Sequence, residues 1–191
     1  MDQDMRIVGG RLKGRTLVAP HHEGTRPTSD RVRESVFNIL SHGIDGPPLE
    51  GTQVIDLFAG TGALGLEAVS RGASYALFVE DNADARGLIR RNIEALGLQG
   101  VTRIFRRDAT RLGLASSRDQ YSYAFLDPPY GKKLGEAALA SLSAGRWLAP
   151  GAIVVLEERT GVEVTFPPGF EALEHRTYGD TTVHFARLIE E

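Results

Sequence analysis

The chain has 191 residues, a length that fits a single domain with a sizeable apolar core. Hydrophobic residues at 41% and charged residues at 25% are ordinary for globular proteins and exclude collagen-like and disordered chains. With 22 Lys and Arg against 25 Asp and Glu, the net charge is −3, so the whole chain shows no basic signature of nucleic-acid binding. A basic surface for nucleic-acid binding must therefore be confined to one part of the chain.

Cysteine is absent, which excludes disulfides, thiolate zinc sites and cysteine nucleophiles. The opening residues carry acids in place of a basic stretch and an apolar run, and no segment offers the roughly eighteen apolar residues of a membrane span. His21 and His22 lack a third ligand at metal-binding spacing. We therefore expect a cytoplasmic protein with no membrane segment and no metal.

Residues 1–48 are predicted to form a short N-terminal extension made of a β-hairpin and a helix. The pattern from Met5 to Val18 is strand-like, with Gly9 and Gly10 as the hairpin turn. A helix then begins near Ser29, with Thr28, Ser29 or Asp30 as its N-cap, and ends at Gly43.

This extension is basic, because residues 6–33 contain seven Lys or Arg and only two acids. Strand alternation would place several of these cations on one face of the hairpin. They are typical either of a solvated sheet edge or of a surface that contacts nucleic-acid phosphates, and the pattern alone leaves both interpretations open. The candidate RNA-binding residues are Arg6, Arg11, Lys13, Arg15, Arg26, Arg31 and Arg33.

Residues 49–191 are predicted to form the main domain, in which strands and helices alternate. This alternation predicts a parallel sheet with helices on both faces. The alternation stops near the end of the chain, where the two-residue turn Gly179-Asp180 joins two consecutive strands into an antiparallel hairpin. The predicted strands are 52–58, 75–79, 101–105, 121–126, 152–156, 170–178 and 181–188, and the helices follow Gly62 as far as Gly72 and span 83–96 and 134–147.

A glycine-rich turn follows the first of these strands, at Gly60, Gly62 and Gly65. Glycines allow a tight turn and a close approach of the backbone to a ligand, although this spacing alone is weak evidence. Glu80 lies 18 residues beyond Gly62, at the end of the second strand, where a carboxylate can accept both hydroxyls of a ribose. NAD and S-adenosylmethionine share that ribose.

Two further acids favour S-adenosylmethionine over NAD. Asp56 would place a negative charge beside the diphosphate of a dinucleotide, whereas a cationic sulfonium with an amino-acid tail tolerates it. Asp108 follows the third strand and would accept a hydrogen bond from the adenine amine; the alternative is that both acids are turn or cap residues. The candidate cofactor-binding residues are Asp56, Phe58, Gly60, Thr61, Gly62, Glu80, Asp108 and Ala109.

The candidate catalytic residues are Asp127, Pro128, Pro129 and Tyr130, which follow the fourth strand. Ligands bind at the carboxyl ends of strands in open α/β sheets. The Asp127 carboxylate and the Pro128 carbonyl can accept the two hydrogens of a ring amine, and Tyr130 can stack on the base. The alternative is a rigid loop that only ends the strand. Direct methyl transfer needs no covalent intermediate, and Asp127 either accepts the proton or only orients the amine.

With both motifs in place, the chain resembles class I S-adenosylmethionine-dependent methyltransferases, and more narrowly the bacterial RsmD family. The resemblance covers nearly the whole chain. Its most specific part is N-terminal, in residues 6–15, 26–34 and 37–40, since the glycine turn and the Asp-Pro-Pro-Tyr motif occur across many amine methyltransferases.

The resemblance implies a Rossmann-like sheet of seven strands, mostly parallel with the last strand antiparallel. It also implies transfer of a methyl group to the N2 amine of a guanosine in 16S ribosomal RNA of the small subunit, by a protein that we expect to be monomeric. The alternatives are an adenine amine of DNA or RNA and, with less support from the basic extension, a protein glutamine.

Overall fold

The structure is a computed structural model that describes residues 5–20 and 29–189. Its centre is one sheet of seven strands in the order β3-β2-β1-β4-β5-β7-β6. The strands are β1 (Gln53–Leu57), β2 (Tyr75–Val79), β3 (Thr102–Phe105), β4 (Tyr121–Leu126), β5 (Leu148–Arg159), β6 (Phe170–Tyr178) and β7 (Thr181–Leu188).

Every pairing among β1 to β5 is parallel, and β7 runs antiparallel to both of its neighbours. The reversal follows from the chain length between β6 and β7, because a two-residue turn can only join antiparallel strands. The Rossmann-like sheet with an antiparallel C-terminal hairpin, predicted from the sequence, is confirmed.

Helices cover both faces of the sheet, as predicted. The helices are α1 (Asp30–Asn38), which continues through a π-turn at Ile39–Gly43, α2 (Ala63–Ser70), α3 (Ala83–Leu96) and α4 (Leu134–Ala144). Apolar side chains of the first three pack on one face, where the Phe37 and Phe125 rings lie 5.4 Å apart. α4 packs on the other face. Among the described residues, no helix is long and apolar enough to cross a membrane.

Helix α4 ends earlier than predicted, at Ala144 in place of Trp147. Gly145 approaches the backbone so closely that a Cβ there would lie 2.0 Å from the Gly113 carbonyl oxygen, and Arg146 has a φ of +59°. The left-handed backbone of Arg146 ends the helix. The Trp147 indole N–H donates to the same Gly113 oxygen at 2.8 Å. β5 begins upstream of the predicted residue 152, at Leu148, which pairs with Tyr121 of β4.

The predicted N-terminal hairpin is present, because antiparallel backbone hydrogen bonds join residues 5–7 to residues 14–17, but its turn is longer than predicted. In residues 5–20 the only bridge joins Arg6 and Thr16, and the chain turns at residues 10–14 instead of at Gly9-Gly10. The reason is a close contact with α2: a Cβ on Gly10 would lie 2.0 Å from the Ser70 carbonyl oxygen. The segment lies along α2, bound by the Glu67 carboxylate, which accepts the backbone N–H groups of residues 8 and 9.

The extension shares its apolar core with the main domain, since Met5, Ile7 and Leu17 are buried in the same cluster as sheet residues. The predicted boundary at residue 48, between the extension and the main domain, remains a prediction. The N-cap of α1 is Ser29, whose hydroxyl accepts the Val32 N–H at 3.2 Å, within the range predicted from the sequence.

Candidate active site

The glycine turn connects β1 to α2 in a backbone conformation that only small residues adopt easily. Gly60 and Gly62 have φ values of +59° and +79°, and Phe58 reaches +56° despite its side chain. A Cβ on Gly65 would lie 2.5 Å from the Phe78 ring, so this glycine lets α2 pack directly on β2. Strained backbone of this kind is concentrated at ligand sites.

Glu80 closes the turn from the side of β2. One of its oxygens accepts the Gly60 N–H at 2.9 Å and the other accepts the Asn82 N–H at 3.1 Å. The carboxylate also lines a cleft of about 250 Å³. Of the predicted site residues, the structure brings five to this one cleft, namely Phe58, Glu80, Asp108, Ala109 and Pro129.

Asp56 lies beneath the turn and not on its surface, in contrast to the prediction that it stands beside the ligand. Its side chain is buried, and Oδ2 accepts the Gly65 N–H at 3.0 Å. Burial raises the pKa of Asp56 well above its usual value, and the Glu80 and Glu157 carboxylates add to this effect. The observed role of Asp56 is to hold the first turn of α2 in place.

Thr61 is also directed away from the cleft. Its hydroxyl faces the Met5 sulfur at 3.7 Å, and its carbonyl accepts a hydrogen bond of 2.9 Å from the Asn92 amide. The same Asn92 binds the backbone N–H and carbonyl of Val18, at 2.6 and 3.1 Å. Thr61 thus connects the glycine turn to the N-terminal segment, a contact that sequence spacing does not reveal.

Asp108 forms a local turn at the edge of the cleft. Its Oδ1 accepts both the backbone N–H and the hydroxyl of Thr110, at 2.8 and 2.7 Å, and these bonds hold the pKa of Asp108 below its usual value. The residue is therefore the turn residue of the alternative interpretation and, at the same time, a charged group in the cleft lining. Ala109 behind it is buried.

The candidate catalytic motif follows β4, with Asp127 half-buried, Pro128 buried and Pro129 exposed. The Asp127 N–H lies 3.4 Å from the Leu57 carbonyl oxygen, which places the motif beside the start of the glycine turn. The Tyr130 hydroxyl lies 3.0 Å from the Thr181 hydroxyl, and burial raises the pKa of Tyr130 to about 12. The phenol is therefore neutral at physiological pH.

Glu158 near the end of β5 supports this motif and was missed from the sequence. It is buried, and its Oε1 accepts the N–H groups of Gly131 and Arg159 at 3.0 and 2.7 Å. The signal available in the sequence was a pair of acids ending an apolar strand, where buried charge is unusual. Arg107 also lines the cleft, and its guanidinium lies 4.1 Å from the centre of the Phe105 ring.

The predicted RNA-binding residues are divided by the structure. Arg6 and Arg31 are exposed near the start of α1, and Arg26 lies outside the described residues. The exposed side chains of Arg11, Lys13 and Arg15 lie toward the far ends of α2 and α3, because the Arg11 N–H donates to Ser70 and the Arg15 guanidinium to Ala95.

Arg33 is a correction to the predicted RNA-binding set. It is fully buried, with its guanidinium bound to Glu67 at 3.2 Å, to Asp30 at 2.7 Å and to the Arg6 carbonyl oxygen. Arg71 binds the second oxygen of Glu67 at 2.8 Å. A side chain without solvent exposure cannot reach a phosphate, so Arg33 holds α1, α2 and the N-terminal segment together.

The residues around the cleft fit S-adenosylmethionine. The left-handed backbone of Gly60 brings its N–H to the Glu80 carboxylate, and three acids, Glu80, Asp81 and Asp108, line the cleft after the ends of β2 and β3. Glu80 would hold the ribose hydroxyls and Asp108 the adenine amine. The acidic lining suits a cationic ligand and disfavours a diphosphate.

The loss of one charge at Glu80 tests this arrangement. Glu80→Gln keeps the side-chain shape but removes a charged acceptor, and we expect the Kd for S-adenosylmethionine to rise about 10- to 100-fold, the range for one charged hydrogen bond. The measurement is calorimetric titration. Glu94→Gln, an exposed change on α3, is the control. An equal Kd for both variants would remove Glu80 from the cofactor site.

Comparison with known proteins agrees with this geometry. The model of the family described as Conserved hypothetical protein 95 matches residues 5–187. Ribosomal RNA small subunit methyltransferase D of Escherichia coli (strain K12) is 40% identical over 154 residues, which are 80% of this chain and 74% of that protein. The protein of the same name from Haemophilus influenzae is 31% identical over 178 residues, 92% of this chain and 90% of that protein.

Solved structures show the same fold. That of yhhF from Escherichia coli has a TM-score of 0.81 and 30% identity, and the match covers 98% of this chain and 99% of that chain. The family match spans the extension, the glycine turn and the catalytic motif together. The chain therefore belongs to the RsmD family of S-adenosylmethionine-dependent ribosomal RNA methyltransferases.

Proposed function

We propose that this enzyme transfers a methyl group to the exocyclic N2 amine of a guanosine in 16S ribosomal RNA of the small subunit. The observation that carries the proposal is the shared cleft: Pro129 of the catalytic motif lines the same space as Glu80 and Asp108. The acceptor amine and the methyl donor can therefore meet without movement of either strand end. The names of the relatives supply the ribosomal RNA of the small subunit as substrate.

The reaction needs orientation of the amine, exclusion of water and loss of one amine proton, which passes to the Asp127 carboxylate or to solvent. Bound S-adenosylmethionine supplies a methyl group on a cationic sulfonium. The Asp127 carboxylate and the Pro128 carbonyl accept the two hydrogens of the amine, which leaves its lone pair directed at the methyl carbon. Alignment of this kind supplies a large part of the acceleration in two-substrate reactions.

Tyr130 completes the proposed pocket by stacking on the target base. Its hydroxyl is bound to Thr181, which limits rotation of the ring and keeps it beside Asp127. Stacking of this type contributes roughly 1 to 3 kcal/mol per base. The target guanosine must leave its own stack to enter, at a cost of a few kcal/mol that is least for an unpaired nucleotide.

The test is incubation with labelled S-adenosylmethionine and small subunits from cells that lack the endogenous activity, followed by nucleoside analysis. We expect the label in N2-methylguanosine of 16S RNA. Label in N6-methyladenosine would favour the adenine alternative, and label in protein would favour the glutamine alternative. The proposal includes a monomer acting in the cytoplasm, which sedimentation and fractionation check.

A second test concerns the exposed cations of the N-terminal segment. Replacing Arg11, Lys13 and Arg15 together by alanine should weaken RNA binding and flatten its dependence on salt by about one unit per lost phosphate contact. Because these side chains lie toward the far ends of α2 and α3, we expect kcat to be unchanged. If the salt dependence of RNA binding is unchanged, these three cations form a solvated surface that does not contact RNA.

A further inference from the structure

A second group of cations lies next to the catalytic motif, in the turn that follows Tyr130. Gly131 and Lys133 both have left-handed backbone, with φ values of +77° and +57°, and Lys132 stands between them. All three residues are exposed. A left-handed conformation is unfavourable for lysine and persists where surrounding contacts enforce it.

Glu158 holds the start of this turn at Gly131 and links it to the end of β5. One buried carboxylate oxygen accepts the N–H of Gly131 and the N–H of Arg159 at once. The exposed residue Arg159 is thereby held beside the turn. The β6–β7 turn is joined to the same region, since the Thr160 N–H donates to the Asp180 carbonyl oxygen at 2.8 Å.

These three cations, Lys132, Lys133 and Arg159, are called the basic rim. Lys133 lies near the Glu136 carboxylate. Burial raises the pKa of Glu136, and the Lys133 charge lowers it by a smaller amount. The rim lies at the carboxyl edge of the sheet, directly after Asp127-Tyr130. The N-terminal cations lie elsewhere, toward the far end of α2, a helix of eight residues that is about 12 Å long.

A base that enters the pocket stays attached to its own backbone phosphates, so those phosphates must lie at the mouth of the pocket. We propose that the basic rim binds the phosphates that flank the target nucleotide, an inference that rests on the proposed function. Phosphate contacts fix the position and register of a nucleic acid without reading its sequence. Glu158 is the positioning residue, because it holds both parts of the rim in place before RNA binds.

The test compares Lys132→Ala and Arg159→Ala, singly and together, with Arg118→Ala as the matched control. Arg118 is an exposed cation in the loop before β4, at the opposite edge of the sheet. Binding to purified small subunits is measured at several salt concentrations, and methyl transfer is measured separately. We expect each rim variant to lower the salt slope by about one unit and the double variant by about two. We also expect the KM for subunits to rise about tenfold for each rim variant, and Arg118→Ala to match the wild type.

Rim variants with a wild-type slope and KM would overturn the inference, as would an equal loss in Arg118→Ala. Binding does not depend on transfer, so this result is separate from the failure of the proposed function. If the wild type labels adenine or protein, the guanosine proposal falls, while the salt slope still decides whether the rim binds phosphate.

Discussion

Replacing Asp127 by alanine is expected to lower the rate of methyl transfer on the order of 1000-fold and to leave the Kd for S-adenosylmethionine nearly unchanged. The reason is location. Asp127 is half-buried and follows β4, whereas the proposed ribose-binding carboxylate, Glu80, follows β2 on the other side of β1. Single-turnover labelling measures the transfer, and calorimetric titration measures cofactor binding.

Asp127→Asn separates the two roles open to this carboxylate. The amide oxygen still accepts one amine hydrogen but cannot take the proton, so a residue that only orients the amine should lose about tenfold in rate, the factor for roughly one hydrogen bond. If Asp127 instead accepts the proton, Asp127→Asn should lower the rate of methyl transfer as much as Asp127→Ala does. Loss of cofactor binding in either variant would show that Asp127 is a cofactor ligand and not a catalytic residue.

Replacing Arg33 by methionine is expected to lower the free energy of unfolding by about 3 to 5 kcal/mol, because it leaves the buried Glu67 carboxylate with one cation fewer. The two side chains are fully buried and lie 3.2 Å apart. Glu67 also accepts the N–H groups of Val8 and Gly9, so the change should loosen the N-terminal segment first. Urea unfolding measures the loss, and hydrogen exchange locates it.

Arg31→Met on the same helix is the matched control. Arg31 is exposed, and surface substitutions of this kind stay within about 0.5 kcal/mol. Adding Glu67→Met to the Arg33 variant completes a double-mutant cycle, in which we expect the double variant to lose less stability than the sum of the two single variants. Equal stability of the Arg33 and Arg31 variants, with weaker RNA binding in both, would restore Arg33 to the RNA-binding set.

The elements of the main domain were predictable because their signals are local. Strands β2, β4, β6 and β7 and helix α3 begin and end at the predicted residues, bounded by glycines, caps or a two-residue turn. Each of these depends on backbone conformations within a few residues. The exact turn of the N-terminal hairpin lacks such a local signal, because it depends on contacts with α2, more than fifty residues later in the chain.

The candidate site divides in the same way. Glu80, Asp108 and Pro129 were identified from their positions at strand ends, and parallel strands bring such ends to one edge of the sheet. The burial of a side chain cannot be predicted in this way, because it depends on which other elements pack against it. Asp56 and Thr61 were predicted to contact the ligand, and packing of α2 and of the N-terminal segment directs them elsewhere.

The sequence by itself determined the class of the sheet, the order of helices and strands along the chain, the glycine turn and the Asp-Pro-Pro-Tyr motif. Each of these features depends on the spacing of residues that are close together in the chain. Only the tertiary structure decided which cations face solvent. Arg31 and Arg33 are two residues apart, so they point to different sides of one helix, and only the packing of α1 against α2 determines that Arg33 is the buried one. The Glu158 contacts likewise decide that Arg159, at the end of β5, lies beside the turn that follows Tyr130.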